Sequence, residues 1–152
     1  IRPRDWSSDV CSSDLSGRFS HIDLAPTLLE LLGRRTALPG KSLLPILRSG
    51  RPAQDPVFIQ WNGSEGRTPV GHLGVSDQEA TRVHNAPIRT VITQEGWKLC
   101  LAQNDKHQLF NLRQDPHETA NLYTAAGHKK EITGLRRMIE TWQKNEKDTV
   151  QV

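Results

Sequence analysis

Six histidines, at positions 21, 72, 84, 107, 117 and 128, are the side chains best suited to proton or metal chemistry in this sequence. Their spacing does not gather them. His-x-His, Cys-x-x-Cys and His-Glu-x-x-His are all missing, so a metal site built from this chain alone is not expected. No Gly-x-Ser-x-Gly turn offers an exposed serine nucleophile. Asp115, His117 and Glu118 could serve as an acid–base set, but helix capping accounts for the acids: Asp115 as cap, Pro116 at the first helical position, Glu118 three residues after the cap. Cys100 sits in a strand-like run and reads as a strand thiol. Asn62-Gly63-Ser64 fits a glycosylation sequon, which arises often by chance and matters only in a secreted eukaryotic protein. Trp61, Trp97 and Trp142 could stack on sugars. Trp97 and Trp142 fit core faces too well for that role, which leaves Trp61.

The elements that would position these residues follow from punctuation and period. Asp23 to Leu32 predicts a short helix, with Asp23 as cap, Pro26 in the first turn and Gly33 as a left-handed stop. Its Leu24, Leu28, Leu31 and Leu32 form an i, i+4, i+7, i+8 stripe that demands burial. A turn at Leu38-Pro39-Gly40-Lys41 leads to a second short helix, Ser42 to Arg48, closed by Gly50. Pro56 to Trp61 is a β-rich run ending in the turn signal Asn62-Gly63. From Asn62 to Pro87 the chain reads as irregular, a stretch long enough to be either mobile or functional. Ile88–Thr93 and Trp97–Leu101 form a hairpin around Gln94-Glu95-Gly96, and a third strand, Gln108–Leu112, follows. The capping box at Asp115 opens one helical turn ending near Tyr123. Lys129 to Asn145 is the last helix, with Ile132, Leu135, Ile139 and Trp142 on one face.

The expected fold class is therefore α+β, a small antiparallel sheet with a terminal helix packed across it. The two helices before residue 50 have no obvious partner and belong to a larger, absent body. Residues 4–15 contain Ser-Ser-Asp twice without helical or strand period, resemble a translated sequencing adapter, and are set aside with the rest of 1–15.

Composition narrows the function classes. The 152 residues are 35% hydrophobic and 24% charged with a net charge of +3, and the 20 basic residues are scattered among 17 acidic ones. No basic stripe exists, so nucleic acid is not an expected partner. No stretch approaches the ~18 uninterrupted apolar residues of a membrane span, so no membrane partner is expected either. The chain starts at Ile1, and no signal peptide is visible. Two cysteines, Cys11 and Cys100, cannot make a disulfide framework.

Several segments carry a resemblance that this physics does not supply. Ser20-His21-Ile22-Asp23-Leu24-Ala25-Pro26-Thr27-Leu28-Leu29-Glu30-Leu31-Leu32-Gly33 resembles the segment closing the main domain of type I sulfatases. Leu38-Pro39-Gly40-Lys41-Ser42-Leu43-Leu44-Pro45-Ile46-Leu47 is similar to the stretch that follows it there. Arg89-Thr90-Val91, Gly96-Trp97-Lys98-Leu99, Leu109-Phe110-Asn111-Leu112 and Asp115-Pro116-x-Glu118-x-x-Asn121-Leu122 match the carboxyl-terminal subdomain in the same order. The ending, Trp142-Gln143 to Asp148-Thr149-Val150, fits as well.

The resemblance implies an organisation of 1–15 outside the fold, 16–50 as the end of an alkaline-phosphatase-like α/β domain, and 51–152 as the sulfatase carboxyl-terminal subdomain. It implies a parent that hydrolyses sulfate esters or sulfamates, usually of sugars or aromatic alcohols. There a formylglycine hydrate attacks sulfur while calcium, Lys, Arg and His hold the sulfate oxygens. Neither Cys11 nor Cys100 stands in the required Cys/Ser-x-Pro/Ala-x-Arg motif, and the family's metal and catalytic residues lie upstream of the segment matching Ser20. No catalytic or metal residue is therefore expected in this chain, calcium belongs to the parent, and the fragment alone is expected to be inactive. The absent amino-terminal catalytic domain and a sulfated small molecule or glycan are the implied partners. The residues expected at the rim of the substrate pocket are Asn62, His84 and Arg89, the last suited to an anionic sugar. A non-catalytic module binding sulfated glycans, or a pseudoenzyme, is the alternative. The compartment is left open, with periplasm or export implied by the family.

Overall fold

A computed structural model describes residues 17–34, 37–63 and 74–152, so the adapter-like segment lies outside the described residues. The chain divides into two compact units, Ile1–Gln54 and Asp55–Val152.

In the first unit a single 3-10 turn, His21–Asp23, runs into α1 (Leu24–Leu31), and a short connection leads to α2 (Leu44–Ser49). Asp23 does not cap α1 as expected. Its carboxylate accepts the Ser20 N–H at 3.2 Å and the Lys41 N–H at 2.8 Å, so it ties the Leu38–Lys41 turn to the start of the helix. Gly40 makes that approach possible: φ is +93°, and a Cβ there would stand 2.3 Å from the Ile22 carbonyl oxygen. Thr27, buried, adds a second tie by donating to the Asp23 carbonyl and accepting the Leu43 N–H at 2.8 Å. Gly33 and Gly50 both adopt the left-handed conformation expected of helix stops.

The second unit is a four-stranded antiparallel sheet in the order β1 (Val57–Trp61), β2 (Ile88–Ile92), β3 (Trp97–Ala102), β4 (Gln108–Asn111), with α4 (Lys129–Glu146) across it. Alternation sorts the strands into two faces. Val91, Leu99, Leu101 and Leu109 join Leu135 and Ile139 of α4 in one core, and Phe58, Trp97 and Ile132 pack against it. Trp142 stacks on Phe58 at 5.3 Å with rings 6° from parallel.

Two expectations need correction. The stretch read as irregular contains a helix, α3 (Asp77–His84), whose cap Ser76 accepts the Glu79 N–H at 3.1 Å. After Asp115 the chain makes one turn and does not continue as the expected helical segment. Glu118 takes a positive φ of 55° and its carboxylate accepts from Lys98 Nζ at 2.7 Å, so it never returns to the cap. Asp115 instead accepts from Thr119 and the Ala120 N–H, and those bonds hold its carboxyl below the usual range. Asn121 then closes the outer edge of β4, accepting the Leu109 N–H at 3.0 Å and donating to the His107 carbonyl at 3.1 Å. The Asp-Pro-x-Glu-x-x-Asn segment is thus an edge plug, which removes an open strand edge.

Candidate functional site

β1 ends at an exposed corner. Its last residue, Trp61, keeps 44% of its surface exposed, and the chain leaves the strand through Asn62 and Gly63. α3 ends at the same place. The Trp61 indole N–H points to the His84 carbonyl at a long 3.5 Å, and the two rings sit 6.3 Å apart at 67°. Gly63 closes the junction: φ is +82°, and a Cβ there would come 2.1 Å from the Asn85 carbonyl oxygen. Only glycine lets the exit from β1 pass so near the end of α3. Asn62 and His84 are both exposed, and Asn62 Oδ1 accepts from Gln60 at 3.1 Å. The helix presenting His84 is held from its other side by Arg82, which pairs with Glu79 at 2.6 Å and donates to the Asn104 carbonyl.

Asn62 and His84 both lie at the end of β1, Asn62 bonded to Gln60 on one side of the strand and His84 against the Trp61 indole. Arg89 reaches the same strand end from the buried side and has no exposed surface. It faces α4 from the middle of the sheet, is fully buried, and its guanidinium is engaged internally. Nε and Nη2 donate to the two Asp148 carboxylate oxygens at 2.6 and 2.9 Å, and Nη1 donates to the Trp61 and Ile88 carbonyls at 2.8 and 3.0 Å. Four of its five N–H groups are used within the fold. The expectation that Arg89 faces an anionic sugar gives way to a bidentate buried pair. The Arg89 guanidinium holds the Asp148 carboxyl far below the usual carboxylate range, helped by Gln143 and the Val150 N–H against the opposing effect of burial. Asp148 follows the left-handed cap Lys147, and its sequence neighbourhood gave no sign of this pairing.

Burial raises the Cys100 thiol above its ordinary range, so it stays protonated at neutral pH. Among the described residues no three His, Cys, Asp or Glu side chains group to hold a metal ion, and no helix is long and apolar enough to cross a membrane. The described residues therefore do not fit a calcium site.

No family model matches the chain. It is 26% identical over 140 residues to the multifunctional alkaline phosphatase superfamily protein PehA of Trinickia caryophylli, covering 84% of this chain and 24% of that protein. BT4656, solved with its substrate D-glucosamine-2-N,6-O-disulfate, superposes with a TM-score of 0.61 at 23% identity, over 84% of this chain and 24% of its own. BT1596, a 2-O GAG sulfatase, gives 0.63 at 24% identity, over 83% and 25%. The chain spans about a quarter of the length of the proteins it matches. Its fold is that of the carboxyl-terminal portion of sulfatases.

Proposed function

We propose that this chain is the carboxyl-terminal portion of a sulfuric ester hydrolase, and that it is inactive without the rest of that protein. The carrying observation is that segments in sulfatase order from Ser20 to Val150 fold into the carboxyl-terminal architecture of sulfatases. PehA's place in the alkaline phosphatase superfamily supports a hydrolytic parent, and the disulfated glucosamine bound by BT4656 supports a sulfated carbohydrate as substrate. Sulfamates and aryl sulfates are the other members of the proposed substrate class. Calcium and formylglycine supply the electrophilic clamp and the nucleophile in such enzymes, and in this reading they stand in the remainder of the parent. This chain's share is the pocket rim, through Asn62 and His84. Arg89 supports the rim from beneath, because it holds the Trp61 carbonyl rather than reaching solvent. A parent exported to the periplasm or beyond suits the family.

The test is sulfate release by the longer protein from which the chain derives, measured with disulfated glucosamine and with an aryl sulfate. The expected result is turnover that falls on calcium chelation, with none from residues 1–152 alone. Phosphate release without sulfate release would overturn the sulfatase reading, and turnover by the chain alone would overturn its inactivity.

A further inference from the structure

Asn62 is one of six asparagines in the chain and the only one followed by glycine. The others precede Ala86, Asp105, Leu112, Leu122 and Glu146, each with a Cβ that crowds its own backbone nitrogen. The difference matters because an asparagine amide carbon can close a five-membered ring with the nitrogen of the next residue. Around Asn62 that approach is open. The residue is exposed at the end of β1, and Gly63, at a φ of +82°, has no side chain to obstruct its nitrogen. Among the described residues the Gly63 N–H donates to no carbonyl, and the Asn62 amide is engaged only through its oxygen. Gln60 Nε2 donates to that Oδ1 at 3.1 Å, the atom on which negative charge gathers when the amide carbon is attacked. Asn121 is the contrast. Its Oδ1 accepts the Leu109 and Tyr123 N–H groups at 3.0 Å, and its Nδ2 donates to the His107 carbonyl at 3.1 Å.

We infer that Asn62 is a self-modification site, converted with water alone to aspartate and isoaspartate through a cyclic imide. The Gly63 nitrogen attacks Asn62 Cγ, and an N–Cγ bond forms. The Cγ–Nδ2 bond breaks, and Nδ2 leaves as ammonia with its own two hydrogens and the one given up by the Gly63 nitrogen. Water then splits one of the two imide C–N bonds, its hydroxyl going to the carbon and its hydrogen to the nitrogen. Splitting the bond to Cγ gives aspartate. Splitting the bond to the main-chain carbonyl carbon gives isoaspartate, whose backbone runs through Cβ and Cγ. The two products act differently on the fold. Aspartate adds a charge to an exposed side chain. Isoaspartate lengthens the backbone by one carbon between two fixed points: the Trp61 carbonyl, held by Arg89 at 2.8 Å, and Gly63, set against the Asn85 carbonyl. The added carbon therefore unseats the exit of β1 from the end of α3, and with it the His84 ring beside Trp61. The inference goes beyond the sulfatase reading and stands without it.

The experiment incubates the 152-residue chain at neutral and at mildly alkaline pH. Each asparagine-containing peptide is followed by mass spectrometry, with aspartate and isoaspartate forms separated by chromatography. Asn62 should convert at least about tenfold faster than any other asparagine and should yield both products. Its rate should rise with pH, because the attacking nitrogen must lose its proton. Gln60→Ala should slow the conversion by about threefold, and Asn62→Gln, which needs a larger ring, should abolish it. Conversion no faster than at the other five asparagines, or aspartate without isoaspartate, overturns the inference. An unchanged rate in Gln60→Ala overturns the part assigned to Gln60. In ¹⁵N-labelled protein the Trp61 indole signal should move in the isoaspartate form and stay in place in Asn62→Asp. An isoaspartate form that keeps the original Trp61 signal overturns the unseating of the strand end.

Discussion

Helices α1 and α4 bring the same demand to the fold and meet different fates. Each carries apolar residues at helical spacing. Those of α4 lie on the sheet, where Leu135 and Ile139 are 4% and 0% exposed. Those of α1 stay open, with Leu24, Leu28, Leu31 and Leu32 all more than half exposed. A stripe states that a face must be covered; it does not state by what. The cover for α4 is encoded in the four strands of its own unit. No described residue of its own unit covers the α1 stripe, which is the arrangement expected if the stripe serves the absent part of the proposed parent.

The attachment of α4 is also polar, and that is where the comparison breaks most sharply. Asp148→Asn removes the charge facing Arg89 and leaves a buried guanidinium uncompensated. A loss of about 3–5 kcal/mol in unfolding free energy is expected, measured by urea titration of the chain. Replacing both partners, Arg89→Met with Asp148→Asn, should recover much of that loss, because no buried charge remains. If the double variant is no better than Asp148→Asn alone, the pair is not what secures the end of α4.

Ile139→Ala tests the apolar half of the same attachment. The side chain is fully buried at the centre of the core, so a cost of roughly 2–5 kcal/mol is expected from lost transfer energy and the cavity left behind. A loss below about 1 kcal/mol would show that the sheet can close around the gap.

Acidification should loosen the second unit in two stages. His107 Nδ1 accepts the Ala102 N–H at 3.2 Å, its ring meets Tyr123 at 5.1 Å, and burial with Arg136 nearby lowers its pKa from 6.5. The folded state therefore binds its proton less readily than the unfolded state. Its stabilisation is complete above pH 6.5 and declines as pH falls through the lowered value. Asp148 has a depressed pKa too, and its contribution is complete above about pH 4 and declines below it. Thermal midpoints should be flat above pH 7, fall modestly below 6.5 and fall steeply below 4. His107→Gln should remove the first decline, and Asp148→Asn should shrink the second.

Much of the second unit was legible in the sequence because its signals are local. Gln94-Glu95-Gly96 marks the hairpin, alternation in Trp97–Leu101 separates the core face from the other, and the α4 period names Leu135 and Ile139. The misses were cases where a local signal had two readings. Asp115-Pro116-His117-Glu118 has the spacing of a helix entry, but Lys98 of β3 takes the Glu118 carboxylate, and the chain makes one turn, with the Glu118 N–H on the Asp115 carbonyl at 3.2 Å, without continuing as a helix. Ser76-Asp77-Gln78-Glu79 was a usable capping signal, hidden because α3 has hardly any apolar stripe behind it. At the corner, Trp61 and Asn62 were visible from the end of β1. The proximity of His84 depends on α3 and on the Gly63–Asn85 contact, which no spacing encodes. Arg89 was noticed for its charge and misplaced for the same reason, since Asp148 lies 59 residues away.

The smallest expected effect is the most decisive for the comparison of the two helices. Leu28 is 60% exposed, so Leu28→Ala in the 152-residue chain removes few contacts and should change its stability by no more than about 0.5 kcal/mol. Both substitutions shorten one apolar side chain in a helix, yet Ile139→Ala should cost several times more. In the proposed longer parent the same Leu28→Ala should cost about 2–5 kcal/mol, since there the stripe would be covered and the change would open a cavity. Equal losses from Leu28→Ala and Ile139→Ala in the short chain would mean that α1 is already covered within it. The stripe would then say nothing about an absent body. A small loss in the chain and a large one in the parent would place the missing cover outside these residues by measurement rather than by pattern.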